Sequence, residues 1–399
     1  MMAMTREAPR QRALSHAVAG VLCAGFAACL VALGGAPGAR AGEAPVAGIR
    51  EDASAAEAQR RQRMVSALVV SPDGERAAFV TRGPTDAKGH WQALVGVVRL
   101  QEGNQAEWVD TELSALSPAA WSPDASALAF SGWNEEANSM HIVLYDVRTR
   151  ALRLLTTTEG AVGDMVPEWS PRGDWIASNR SGLGPKSSDW WIVRPDGGEA
   201  RPVTTSGLAK RNSTARWSLD GRWLYYVRLP SPDSRVGDVY AVDVERPEQP
   251  EQRITRTGDV YLMLQLSPDG QYLLCQTRSE PDTGECLAYL VPIADPDGTR
   301  VVLRQSGDHN FSPGSDRLVF LDRKASSGAN RFDLGIMRLG GELATTRLIG
   351  GVSGLAWRNA WTPRGQIVFT RDDSTSIWVV NEDGGNKREI FRLAGPLGP

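Results

Sequence analysis

Seven times along this chain a short apolar run meets a tight reverse turn and doubles back into a second apolar run. The turns begin at Ser71 (SPDG), Ser122 (SPDA), Ser170 (SPRG), Ser218 (SLDG), Ser267 (SPDG), Ser312 (SPGS) and Thr362 (TPRG), at successive spacings of 51, 48, 48, 49, 45 and 50 residues. In such a turn proline presets φ to about −65°, aspartate hydrogen-bonds its own backbone, and glycine takes the positive φ that closes the hairpin. A lone two-stranded hairpin is marginal in water, so every copy must pack against other copies.

A self-similar period of this length, with four short strands per unit, is the signature of a β-propeller. From Met64 onward each unit follows one plan. The first strand ends on Val70, Trp121, Trp169, Trp217, Leu266, Phe311 or Trp361, and the second strand follows the turn directly. Third strands are read at 141–146, 190–193, 239–242, 287–290, 334–337 and 376–380, and several end in a second Asp-Gly turn, as at Pro195-Asp196-Gly197-Gly198. Fourth strands, such as 153–156 and 201–204, are short and polar, as an outer edge requires. The expectation is an all-β, seven-bladed propeller of four-stranded antiparallel blades over 64–399, with six blades as the alternative.

The unit that runs Trp169-Ser-Pro-x-Gly-x-Trp-Ile-Ala-Ser, Trp191-Ile-Val, Asp196-Gly-Gly, Arg201-Pro-Val-Thr resembles the blade repeat of TolB-like propellers and of the propellers in prolyl-oligopeptidase-type peptidases. The resemblance covers 64–392 and implies the propeller fold. TolB-like proteins place a small α/β domain before the propeller, and the residues between Gly42 and Met64 are too few for one. The peptidases follow it with an α/β-hydrolase domain, but no G-x-S-x-G elbow occurs, and Gly351-Val352-Ser353-Gly354-Leu355 fails at its last position. Peptidase activity is therefore not carried over.

Only the start departs from ordinary globular composition. Arg6, Arg10 and Arg12 precede a charge-free apolar run at 17–33, and Ala39-Arg40-Ala41 supplies a small-x-small cleavage site, so 1–41 reads as a secretory signal peptide. An uncleaved membrane anchor is the alternative. Residues 42–63 read as a linker, with a short helix at 54–63 where Ser54 and Glu57 have capping-box spacing. Cleavage after Ala41 leaves 40 basic and 46 acidic residues, a net charge of −6, which offers no footprint for nucleic acid or anionic lipid. The mature chain is expected in the periplasm or outside the cell, without stable membrane insertion, as a monomer.

Cleavage also leaves only Cys275 and Cys286, on consecutive strands around a loop centred near 280–281. A symmetric hairpin would set them opposite each other, so a cross-strand disulfide is expected in an oxidising compartment, with two buried thiols as the alternative.

Three classes of site can be read. Arginine recurs after the second strand at Arg82, Arg180, Arg228, Arg278, Arg323 and Arg371, with Trp133 in that place in the second unit. One reading is a ring of guanidiniums for carboxylates. The preferred reading is that each belongs to the repeat and pairs with Asp189, Asp322 or Asp372, because exposed charges are usually only solvated. The repeat-period tryptophans read as inter-blade packing, whereas Trp108 and Trp133 are candidates for a contact surface. His90, His141 and His309 are too scattered for a metal site, so neither metal nor cofactor is expected. The favoured function is a scaffolding module that binds a protein in the cell envelope through loops at 132–139, 181–189, 230–237 and 324–330. A polysaccharide lyase or hydrolase with a channel active site is the competing class.

Overall fold

A computed structural model describes residues 64–85, 91–101, 105–111, 113, 116–134, 137–158, 162–182, 188–210, 213–277, 287–295, 301–303, 308–322, 332–340 and 345–393. The expected signal peptide and linker, Arg278, Arg323, Cys286 and His90 lie outside them.

Five sheets have four strands each, added in sequence order and all antiparallel. The first holds β1 (Ser66–Val70), β2 (Arg76–Thr85), β3 (Trp91–Arg99) and β4 (Ala106–Asp110). The second holds β5 (Ala120–Trp121), β6 (Ala127–Asn134), β7 (Ser139–Asp146) and β8 (Leu152–Leu154). The third is β9 (Val162–Trp169), β10 (Ile176–Gly182), β11 (Ser188–Val193) and β12 (Ala200–Pro202). The fourth is β13 (Arg216–Trp217), β14 (Trp223–Arg228), β15 (Asp238–Asp243) and β16 (Gln252–Arg253). The fifth is β17 (Val260–Leu266), β18 (Tyr272–Thr277), β19 (Ala288–Pro292) and β20 (Val301–Leu303).

The rest of the chain forms one seven-stranded sheet: β21 (His309–Phe311), β22 (Arg317–Asp322), β23 (Phe332–Arg338), β24 (Thr345–Leu355), β25 (Gln366–Arg371), β26 (Ser376–Asn381) and β27 (Arg388–Arg392). Seven separate blades are therefore not what the sheets show. The cause is local. Elsewhere a polar connection parts one unit's outer strand from the next unit's inner strand, but β24 runs through, pairing β23 over Thr345 to Val352 and β25 over Val352 to Leu355. Gly351, at φ 75°, and a register shift between Val352 and Gly354 bend the strand between its two partners.

The turn motif is built as its residues dictate. In the first unit Ser71 Oγ donates to Asp73 Oδ1 at 2.5 Å, the Gly74 N–H donates to Ser71 O at 2.9 Å, and the Arg76 N–H donates to Ser71 Oγ at 2.9 Å. The pattern recurs at Ser122, Ser218 and Ser267. Where arginine or glycine replaces the third-position aspartate, Ser170 and Ser312 reach instead to Asp174 and Asp316. The last turn position takes positive φ whatever its residue: φ is 69° at Gly74, but also 58° at Ala125 and 60° at Ser315.

Sheets pack face to face through apolar side chains. Trp121, Trp217 and Trp361 are buried, and each removes on the order of 200 Å² from water. Two of them also tie their sheet to the preceding one: Trp121 Nε1 donates to Val69 O at 3.3 Å and Trp217 Nε1 to Glu168 O at 3.1 Å. The ring closes without strand exchange. Val70, Phe79 and Leu100 of the first sheet share one core cluster with Ile377, Ile390 and Phe391 of the last. Backbone bonds Trp357 N–H to Leu68 O (2.6 Å) and Val65 N–H to Ser374 O (2.7 Å) fasten the join.

In the fifth sheet Cys275 is buried and stands opposite Tyr289 in the ladder, with Leu274 opposite Leu290. The direct opposition to Cys286 assumed from a symmetric hairpin is not the register of this pair. The turn is centred about one residue later than assumed, so the partner position falls to tyrosine.

Candidate functional site

The recurrent arginines can be placed one by one. Arg180 on β10 donates through Nε and Nη2 to the two oxygens of buried Asp164, both at 2.8 Å, and lies 4.0 Å over the Trp191 ring. Arg228 on β14 pairs with Glu251 at 2.7 Å and stacks on Tyr240. Arg371 on β25 donates to the carbonyls of Gly351 and Gly350 and stacks on Trp378. Arg82 sits half-buried on β2. The partners differ from the aspartates that sequence offered: Asp189 accepts from Thr204 and Gly207, and Asp372 from Arg392. These guanidiniums hold strands together within a unit. Trp133 packs half-buried on Met140, Met165 and Val166, and Trp108, 40% exposed, stands edge-on to Phe79.

A second arrangement imitates a nucleophile and its base. Ser139 Oγ lies 2.9 Å from His141 Nε2, and both residues are buried. The Thr158 N–H donates to His141 Nδ1 at 3.3 Å, so the ring proton is on Nε2, which donates to Ser139, and Ser139 donates onward to Thr158 O. A base would need its lone pair on the serine side. Burial lowers the His141 pKa, so the ring is neutral at pH 7. This is a structural network. Among the described residues no three potential metal ligands gather, and His309 lies apart, stacked on Phe320.

The site the fold does assemble is on its axis. The inner strands converge at the end that carries the Ser-Pro turns, where a cavity of about 350 Å³ is lined from every unit, including Ala120, Glu168, Arg216, Gln265, Phe311 and Arg358. Arg358 reaches from the last sheet across the axis to the third, where its Nη1 pairs closely with Glu168 Oε2 and approaches Pro167 O at 3.4 Å. Arg216 Nη1 lies 3.5 Å from the same Glu168 oxygen and donates to Ala215 O at 2.7 Å. Side-chain exposures are 11%, 15% and 8% for Arg358, Glu168 and Arg216. Burial brings the Arg216 pKa down to about 10, opposed by Glu168 and reinforced by Arg358, so it remains a cation at neutral pH. One carboxylate thus faces two guanidiniums. Beside them, Gln265 Nε2 donates to Asn310 Oδ1 at 2.5 Å, and Asn310 Nδ2 to Ala356 O at 3.3 Å, an amide chain linking the fifth sheet to the last.

None of the axial charges was singled out from sequence, yet a signal was there. The residue immediately before the repeat's aromatic is Val69, Ala120, Glu168, Arg216, Gln265, Asn310 and Ala360 in turn. A position that must be buried in an inner strand changes from apolar to charged in the middle units, and buried charge needs a reason.

No family model matches the chain. It is 29% identical over 140 residues to the uncharacterized peptidase YuxL of Bacillus subtilis, a match covering 35% of this chain and one fifth of that protein. The β-propeller domain of the Trilobed protease from Pyrococcus furiosus superposes with a TM-score of 0.58 at 14% identity, over 84% of this chain and 98% of that one. TolB from Acinetobacter baumannii superposes more loosely, with a TM-score of 0.48 at 20% identity, over 71% of this chain and 65% of that one. The Pyrococcus likeness shows the fold, a β-propeller.

Proposed function

We propose that this chain is an exported, TolB-like propeller that binds a partner protein in the cell envelope, with the axial mouth on the turn-bearing face as its contact. The observation that carries this reading is the axial cavity. Every unit contributes to it, and it combines apolar walls at Trp121, Trp169 and Trp361 with converging charged and amide groups, the make-up of a recognition pocket. The rim loops first favoured are less well supported, since the arginines Arg180, Arg228 and Arg371 beside them are engaged within their own units. The seven-stranded sheet does the duty of two blades sharing β24, which keeps seven units around the axis.

The lyase or hydrolase reading draws on the peptidase relative alone. The axis gathers one carboxylate, two guanidiniums and two amides, groups suited to holding charge and hydrogen bonds. A photo-crosslinking residue at exposed Asn359, which lines the cavity, is expected to capture a defined envelope protein in cells, and one at exposed Arg235 on the opposite face to capture none. The same product from both positions, or from neither, overturns the reading.

A further inference from the structure

We infer that the axial cavity is a carboxylate-binding site, with Arg358 as the residue that grips the ligand and Glu168 as an internal competitor for it. The inference rests on the binding-module reading and names the chemistry the mouth selects.

The argument begins with charge. Glu168, Arg216 and Arg358 sum to one excess positive charge, in a setting where each side chain is at most 15% exposed. An unbalanced charge removed from water is costly, and a counter-charge in a low-dielectric pocket is attracted far more strongly than in bulk solvent. The cavity that Arg358 lines has room for such a counter-charge: about 350 Å³ holds several residues' worth of side-chain atoms.

The donors then identify the ligand. Arg358 is tethered to Glu168 and Pro167 through Nη1 only, and its Nε and Nη2 are buried with no acceptor among the described residues. Those two groups share one edge of the guanidinium plane, the fork that fits a carboxylate with two parallel bonds. Elsewhere in this molecule the same edge does that work. Arg180 takes Asp164 through Nε and Nη2 at 2.8 Å each, and Arg222 takes Asp243 through the same pair at 3.0 and 2.7 Å. Rotation of the Arg358 head about its terminal bonds turns this edge into the cavity, where an incoming carboxylate satisfies both donors and balances the charge. Tryptophan faces beside it bury the aliphatic part of whatever carries the carboxylate. An aspartate or glutamate side chain and a chain terminus present the same group, so both sources fit.

The test measures binding of three probes to the full mature protein by calorimetry and tryptophan fluorescence. They are acetyl-Gly-Gly-Asp-Gly-amide, its Asn counterpart, and acetyl-triglycine with a free C-terminal carboxylate. Saturable binding of at least one acidic probe, with the Asn peptide weaker by roughly tenfold or more, is expected. Which acidic probe binds assigns the source. Arg358→Gln is expected to weaken the acidic probe roughly tenfold or more, Arg358→Lys to weaken it less, and Glu168→Gln to tighten it, since the competing charge is gone. Thermal unfolding of each variant confirms that it is folded, and because a damaged cavity would weaken binding in both Arg358→Gln and Glu168→Gln, their opposite signs separate recognition from collapse. Equal affinity for the Asp and Asn peptides, no binding at millimolar concentration, or weakening by Glu168→Gln overturns the inference. Crosslinking at Asn359 to a partner whose affinity neither variant changes would sink the carboxylate site and leave the binding module standing. Probe binding without any crosslinked partner would do the reverse.

Discussion

Two groups of arginines occupy this propeller, and their contrast separates architecture from recognition. The arginines at the ends of the second strands have local partners: Arg180 has Asp164 on the neighbouring strand, Arg228 has Glu251, and Arg371 has the carbonyls where β24 bends. The pair on the axis, Arg216 and Arg358, comes from distant units and shares one carboxylate. A repeated residue with a partner inside its own repeat is part of the repeat. A charge that appears in only some units, at a position the others fill with valine or alanine, does something the repeat does not require.

The contrast can be broken most sharply at Arg180. Asp164 is fully buried, so Arg180→Gln leaves a buried carboxylate without its cation and is expected to cost about 3–5 kcal/mol, read from denaturant unfolding. A loss below 1 kcal/mol would place Arg180 with the merely solvated charges. Arg358→Gln is expected to cost less, about 1–2 kcal/mol, because Arg216 remains beside Glu168 and two buried donors without acceptors vanish with the side chain. If Arg358→Gln proves the more damaging of the two, the axial bridge is the structural element and the contrast is reversed.

The buried network next to Asp164 adds a pH signature that the axis lacks. Burial holds the His141 pKa below its ordinary 6.5, so the unfolded chain binds a proton there that the folded one refuses. Stability is therefore complete above about pH 6.5 and falls as pH drops below it, by at most about 1.4 kcal/mol per pH unit. The difference in unfolding free energy between wild type and His141→Gln, followed from pH 7.5 to 5, should show that slope, and a flat difference would refute it. The smallest effect concerns the turns. Ala125 holds φ at 58° where five of the motif's copies have glycine, so Ala125→Gly should stabilise by about 1 kcal/mol, visible as a raised unfolding midpoint.

Much of the fold was legible because it is local. Ser71-Pro72-Asp73-Gly74 carries its turn in four residues, and the apolar runs on either side have no stable use except as stacked strands. The missed boundary at β24 was also local in cause, since 345–355 lacks the polar connection that separates other units, but the absence of a loop is a weaker signal than its presence. The axial site was nearly illegible. Glu168 and Arg358 are 190 residues apart, and nothing in either segment names the other. The cysteine pair failed for a smaller reason: register depends on where a turn is centred, and one residue's displacement put Tyr289 opposite Cys275.

What the sequence determined by itself was the unit: the turn, the alternation around it, the aromatic that locks one sheet to the next, and hence a ring of stacked sheets. These follow from backbone preference and burial acting over a few residues. Which charges meet at the centre was decided only by closing the ring, because closure brings inner strands from opposite sides within reach and sets Arg358 against Glu168 across the axis. Short-range propensity repeats with the period, whereas charge at the axis depends on how many units separate two strands around the circle.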